Sequence, residues 1–282
     1  GFVYALLAIG FVMIFKSTRV INFAHGSIVL LGAFLIAKLH GSLGFVGAVV
    51  AGAAGAALAA GLLYLVILRH VRGRAADTVT IATIGLDIIL STELSREIGQ
   101  EVLNIGDPWK DGIVKLGSFS IPEARVWAAI VALVLLGAFV SAFRFSSWGV
   151  AMRAAAEDAE AAALMGIRLP RVATGAWLIA GALAAVGGVF LTTFPTPGVD
   201  RATGLAALSA FPAAILGGLD SVLGAVVGGL VIGVVVSMTA GYQDQIAFLG
   251  RGIGDVAPYV VMVLVLLVRP SGLFGTRELT RV

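Results

Sequence analysis

The sequence predicts an all-α polytopic membrane protein of about eight to nine transmembrane or partly re-entrant helices, with one further helix standing in a cytoplasmic loop. Three observations predict it. Of 282 residues, 59% are hydrophobic and only 12% are charged, against roughly a quarter charged in an ordinary soluble domain. Apolar stretches long enough to cross about 30 Å of hydrocarbon recur from end to end, and a mean hydropathy of +1.04 leaves no room for a sizeable soluble domain. The 37 glycines gather in small-residue runs such as GAAGAALAAG at 52–61, which weaken soluble helices but let membrane helices approach closely. One domain is expected over 1–282.

Taken in order, apolar segments fall at 1–15, 24–39, 43–68, 78–98, 122–143, 172–193, 203–219, 221–240 and 256–268. The first two and the pair flanking Asp220 are short, and Pro212 sits inside 203–219. Broken or re-entrant helices are expected there, with their freed backbone facing protein or a cavity. Orientation follows from the arginines of short loops. Arg69, Arg72 and Arg74, then Arg144, Arg153, Arg168 and Arg171, then Arg269, Arg277 and Arg281 mark three cytoplasmic regions. Residues 99–121, 194–202 and 241–255 then lie outside, as does Gly1. A chain opening on Gly1 is expected to have a short preceding piece, and no cleavable signal peptide is read.

Composition closes several chemistries. With no cysteine, disulfide, thiolate-zinc and thiol-nucleophile sites are excluded. The net charge of +3 comes without a basic stripe interleaved with aromatics, so nucleic acid is not expected as a partner. His25, His40 and His70 are too scattered for a metal site. Neither H-E-x-x-H nor G-x-S-x-G occurs, so no enzyme is expected, and no G-x-x-x-x-G-K-[ST] phosphate loop occurs either.

The loop SSWGVAMRAAAEDAEAAALMGIRLP at 146–170 is alanine-rich and helix-favouring. Arg153 and Glu157 stand four apart, and Gly166 is placed to end the helix before Pro170. Such a helix is too charged to span a bilayer, and Glu157, Asp158 and Glu160 would be repelled by anionic headgroups. It is expected to dock on a partner.

The run Arg153, Ala154, Glu157, Asp158, Ala162, Gly166 and Ile167 resembles the EAA-type coupling segment of ATP-binding cassette (ABC) importer permeases. The resemblance extends through GFVYALLAIGFVMIFKSTRVINFAHGSIVLLG at 1–32, TIATIGL at 80–86, PAAILGGLDSVLGAVVGGLVIG at 212–233 and LVLLVRPSGLFG at 264–275. Over nearly the whole chain it is similar to the permeases of branched-chain amino-acid ABC importers, of the H type. The resemblance implies a permease subunit forming half of the pathway for branched-chain or related neutral amino acids. It implies as partners a second permease, related but unlike, two cytoplasmic ATP-binding subunits and an extracytoplasmic solute-binding protein. The location implied is a bacterial inner membrane, with the C-terminus cytoplasmic. ATP and Mg would be used by the partners, with no cofactor in this chain. The coupling loop would span 144–171, its helix covering 150–166. Arg153, Ala154, Glu157, Asp158, Ala161 and Gly166 would be the coupling residues, Glu157 and Asp158 facing an ATPase cleft.

For the pathway, the INFAHG element places Asn22, Phe23, His25 and Gly26 between two short apolar segments, awkward for polar groups in lipid. Two readings stand: the broken stretch lines the pathway, or Asn22 and His25 cap helix ends and satisfy freed backbone. Thr83 and Asp87 of the fourth span join the pathway candidates. Asp87 would meet a substrate ammonium or line a wet vestibule, and Glu93 is expected to pair with Arg96. Asp220 and Asp255 are expected to cap the helices that follow them, with Pro258 in the first turn of the last. Urea or short amides are the alternative cargo. An ion-coupled secondary transporter using Asp87 or Glu93 is the alternative class, and it would need no docking loop.

Overall fold

The structure, a computed structural model, describes residues 1–71, 76–109, 112–116, 119–193, 197–245 and 252–275. Arg72, Arg74, Arg277 and Arg281, which carry part of the orientation argument, lie outside these residues.

Helix α1 (Phe2–Thr18) forms the centre of the bundle: every residue from Ala5 to Ile14 is buried. A helix apolar all round has no face to offer water, so it is enclosed by others. Helix α2 (His25–Leu62) continues into a π-helical turn, Leu63–Leu68, and a short α3 (Arg69–Val71). His25–Leu68 is a 44-residue apolar stretch; run straight it would be about 66 Å long, twice the hydrocarbon thickness. Gly44, at φ 68° and ψ 170°, breaks it. The two arms fold back on each other: a Cβ added at Gly52 would come 2.5 Å from Ile36 Cγ1 and 3.0 Å from the Gly32 carbonyl. The two segments expected at 24–39 and 43–68 are therefore the arms of one hairpin. Helix α4 (Ala76–Ile98) follows.

The next connection, expected as a loop, contains an antiparallel hairpin of β1 (Ile113–Leu116) and β2 (Phe119–Pro122), with Val114 paired to Ile121. Neighbouring β-branched residues at Ile113 and Val114 favour extended backbone. Helix α5 (Glu123–Phe145) leads into α6 (Ser147–Glu157) and α7 (Ala159–Leu164). Helix α8 (Leu169–Leu191) is the second central element: 61% of its most apolar window is buried, against 17% for α4 and for α5. It runs along both arms of α2. A Cβ at Gly32 would meet Ala185, one at Gly181 would meet Ala56, and one at Gly61 would meet Leu178.

The expected segment 203–219 is broken into α9 (Thr203–Leu208) and α10 (Ala210–Gly217). The break falls at Ser209, just ahead of Pro212, which has no N–H to give the Leu208 carbonyl. Helices α11 (Val222–Gly241) and α12 (Ile253–Val268) complete the bundle. Ser221, not Asp220, caps α11, its hydroxyl accepting from Gly224 N at 3.0 Å. Gly252 caps α12, which begins earlier than expected, so Asp255 sits in the first turn and Pro258 inside the helix. There the Asp255 charge favours the positive end of the helix dipole.

Among the described residues five helices are long and apolar enough to cross a membrane, and Phe2–Thr18, Thr203–Gly217 and Ile253–Val268 form shorter apolar ones. The fold is an all-α polytopic membrane fold, with one small β-hairpin among the described residues. The loops that the arginine pattern assigns to one side do share one end of the bundle. Arg69, Arg168 and Arg171 line a single cleft, Arg19 reaches α6, and Leu273 N donates to the Leu216 carbonyl. At the opposite end Leu103 pairs with Val199, and Gly106 makes room for His40.

Candidate functional site

Between α1 and α2 the chain leaves helical geometry for six residues, 19–24, and its free backbone groups find partners across the bundle. Arg19, at φ 56°, ends α1 in left-handed conformation, rare for a residue with a side chain. Asn22, buried, accepts the Ala24 N–H on Oδ1 at 3.1 Å, while its Nδ2 has no partner. Thr83 Oγ1 on α4 accepts the Phe23 N–H at 3.2 Å, and it stands 3.2 Å from the Ile21 carbonyl and 2.7 Å from that of Thr80. A single hydroxyl from a neighbouring helix thus holds the broken stretch, as membrane burial demands.

His25 is fully buried and packs against Phe11 with the rings tilted 54° and 4.4 Å between centroids. Gly10 creates its place, since a Cβ there would come 2.5 Å from the imidazole. Neither ring nitrogen has a hydrogen-bond partner. Phe23 packs on Phe211 at 5.4 Å. Gly26 lets α9 approach backbone to backbone, because a Cβ would lie 2.6 Å from the Gly204 carbonyl. His25, Phe23 and Gly26 are thus packed against α1, α10 and α9 respectively, and Asn22 bonds within the turn itself.

Asp87 has a different setting. It is the central residue of α4, between Ala76 and Ile98, and its carboxylate accepts from the Ser27 hydroxyl. Thr83, Asp87, Ser91 and Ser95 follow at four-residue intervals, a polar stripe along one side of an otherwise apolar helix. Asp87, Ser91 and Ser95 line a cleft of about 230 Å³ with Ser27 of α2 and Arg201, Gly204 and Leu205 beside or in α9. Gly26 is what allows this: by bringing α9 against the start of α2, it sets Arg201 across from Asp87. Arg201 escaped the sequence reading because nothing local marks a loop arginine as facing a cleft. Ser91 and Ser95 were missed as well, although their spacing of four and eight residues from Asp87 is a signal that could have found them. Glu93 lies near the end of α4, exposed and paired with Arg96 at 2.5 Å.

At the other end stands the segment read as one helix over 150–166. It is two. Asp158 adopts extended backbone, and its carboxylate accepts the N–H groups of Glu160 and Ala161, each at 2.9 Å, as the cap of α7. Asp favours this capping role over the interior of a helix. Ser146 caps α6 by accepting from Gly149 N at 3.0 Å. Helix α6 lies on the bundle through buried Met152 and through Trp148, whose indole donates to the Val172 carbonyl at 3.3 Å. Arg153 turns back to the end of α5, donating to the Phe143 carbonyl and, at 3.1 Å, to that of Arg144. It does not pair with Glu157, which is exposed. Ala154 is half-buried and its carbonyl takes the Asp158 N–H. Helix α7 buries only Ala162; Ala161 is exposed, and Leu164 and Met165 are 87% and 84% exposed. Gly166, at φ 86°, closes it with its N–H on the Ala163 carbonyl.

Two long cations tie this end together. Arg19 donates to the Ala156 carbonyl of α6 at 2.7 Å, and Lys16 to the Asp220 carbonyl between α10 and α11 at 2.9 Å. A contiguous chain of contacts therefore runs from α6 through Arg19 and the 20–24 turn to Thr83, Ser27 and Asp87.

Comparison with known proteins finds a family described as "Branched-chain amino acid transport system / permease component" over residues 1–268. The high-affinity branched-chain amino acid transport system permease protein LivH of Salmonella typhimurium (strain LT2) is 34% identical over 297 residues, covering 100% of this chain and 94% of that protein. LivH of Escherichia coli (strain K12) is 33% identical with the same coverage. BraD of Pseudomonas aeruginosa, also a high-affinity branched-chain amino acid transport system permease protein, is 30% identical over 308 residues, covering 100% and 94%. No solved structure matches the chain.

Proposed function

Since the chain belongs to the family of branched-chain amino acid transport system permeases, we propose that it forms half of the translocation pathway of an ABC importer for branched-chain or related neutral amino acids. It is a transport component, and hydrolysis of ATP falls to separate partner subunits. The observation that carries this reading is the α6–α7 segment. It is anchored through Trp148, Met152 and Arg153, yet offers an apolar tip at Leu164 and Met165 flanked by Glu157 and Glu160. An exposed apolar tip beside carboxylates is suited to a partner's pocket. An ion-coupled transporter has no use for such a tip.

In this reading the α6–α7 end is cytoplasmic, and nine crossings among the described residues leave the C-terminus on that side: α1, both arms of α2, α4, α5, α8, the α9–α10 unit, α11 and α12. The tip sits in a surface cleft of a cytoplasmic ATP-binding subunit. A second, related permease completes the pathway, and a solute-binding protein delivers cargo at the outer face, all in a bacterial inner membrane. Nucleotide-driven closure of the two ATP-binding subunits moves the tip, and the Arg19 contact transmits that movement to the turn beneath Asp87. Asp158 shapes the tip by capping α7.

The test is reconstitution of the complete transporter in proteoliposomes. ATP-driven uptake of leucine is expected, and Leu164→Asp with Met165→Asp is expected to abolish co-purification of the ATP-binding subunits while the permease still inserts. Retention of those subunits by the double variant would overturn the docking assignment. Uptake driven by an ion gradient without ATP would overturn the class.

A further inference from the structure

Asp87 and Arg201 line one cleft of about 230 Å³, below the roughly 300–1,000 Å³ of sites for drug-sized ligands. Opposite charges lining one cleft this small would be expected to pair. They do not: among the described residues Asp87 and Arg201 form no ion pair, and Arg201 has no hydrogen-bonded partner. The neighbouring Asp200 does not supply one, since its carboxylate accepts from Ala202 N at 2.9 Å and lies 3.1 Å from Thr203 Oγ1. Asp87 has only the Ser27 hydroxyl and no cation. An ionised carboxylate at the middle of a membrane helix is costly unless something positive completes it. The space between these two charges suits a small solute carrying both signs.

We propose that this cleft binds an α-amino acid as its zwitterion, the ammonium against Asp87 and Ser27, the carboxylate against Arg201, and the side chain on Leu205 and Leu208. The arrangement deepens the importer reading and rests on it for the identity of the cargo. Two fixed charges discriminate by what they leave unpaired. A leucine satisfies both. Leucinamide leaves Arg201 unmatched, 4-methylpentanoate leaves Asp87 unmatched, and urea matches neither. Serines at 91 and 95 leave the floor of the cleft polar enough for water before the solute arrives.

The absence of cysteine gives a direct test on the complete transporter in membranes. Ser91→Cys, and separately Ser95→Cys, is alkylated with a water-soluble thiol reagent in the presence of L-leucine, leucinamide or 4-methylpentanoate. L-leucine alone is expected to slow alkylation. In the Arg201→Gln background the protecting concentration is expected to rise about tenfold or more, the loss of one charge-assisted contact. Equal protection by all three compounds, protection by none, or no alkylation at either position overturns the assignment. The importer reading fails separately: leucine that protects Ser91→Cys without any ATP-driven uptake keeps the site and sinks the importer, while uptake without protection does the reverse.

Discussion

At the scale of single residues, the polar groups inside the bundle divide into those that hold the backbone and those that face open space. His25 belongs to the first kind by packing: its ring occupies the gap left by Gly10 and lies against Phe11. Gly10→Val is therefore expected to destabilise the protein by about 1–3 kcal/mol through overpacking, read as a lower unfolding temperature of the detergent-solubilised permease. Arg19 joins two roles, a left-handed backbone and a side-chain contact to Ala156. Because glycine adopts that backbone freely, Arg19→Gly removes the guanidinium without strain. Folding is expected to persist, with substrate-stimulated ATP turnover falling several-fold; unchanged stimulation would exclude Arg19 from the coupling route. A histidine between apolar segments looks the same in sequence whether it lines a pathway or fills a notch. The glycine that makes the notch stands fifteen positions away, and only the fold brings the two together.

At the scale of elements, the apolar segments were legible because hydropathy alone specifies them, and the projecting segment was legible because its composition fits neither lipid nor water. Its internal break was not. Asp158 within AAAEDAEAAA reads as one more residue of an alanine-rich helix, and the choice between continuing and re-capping depends on how α6 is fastened by Trp148 and Arg153. Asp158→Ala is expected to cost the cap, about 0.5–2 kcal/mol, and to loosen α7 specifically. Proteolysis or hydrogen exchange at 159–164 would rise while the rest of the chain stays protected; uniform protection would argue for one continuous helix. Glu157→Arg reverses a charge at the exposed edge of the tip and is expected to abolish ATP turnover stimulated by cargo without affecting insertion. Normal stimulation in that variant would remove Glu157 from the interface. The β1–β2 hairpin escaped because four-residue strands between glycines carry too little alternation to distinguish from a loop.

At the scale of the whole molecule, the sequence already implied many crossings and a consistent side for each loop. What no linear pattern shows is which helices share a wall. The cleft beneath Arg201 needs α4, α2 and α9 together, and only the Gly26 approach to Gly204 sets a loop arginine opposite a mid-span carboxylate. Helices α4 and α5 are the least enclosed of the long spans, with Ile81, Ile84, Ile88 and Ile89 of α4 open on the flank. A second permease is expected to cover part of that flank. Ile84→Cys or Ile88→Cys in the cysteine-free chain, paired with a cysteine placed on the second permease, would then form cross-links between the two, whereas labelling by lipid-phase probes alone would place this face in the bilayer.

The α2 hairpin and α8 interlock through small residues at three levels, Gly32 with Ala185, Ala56 with Gly181 and Gly61 with Leu178. Surfaces meshed this closely have no slack to slide or tilt against each other. Those three rods therefore behave as a stator. In the proposed importer, a working stroke is expected from what is bolted on more loosely around them, with α4 as the moving jaw and the stretch from Arg19 to Ala24 as the pushrod.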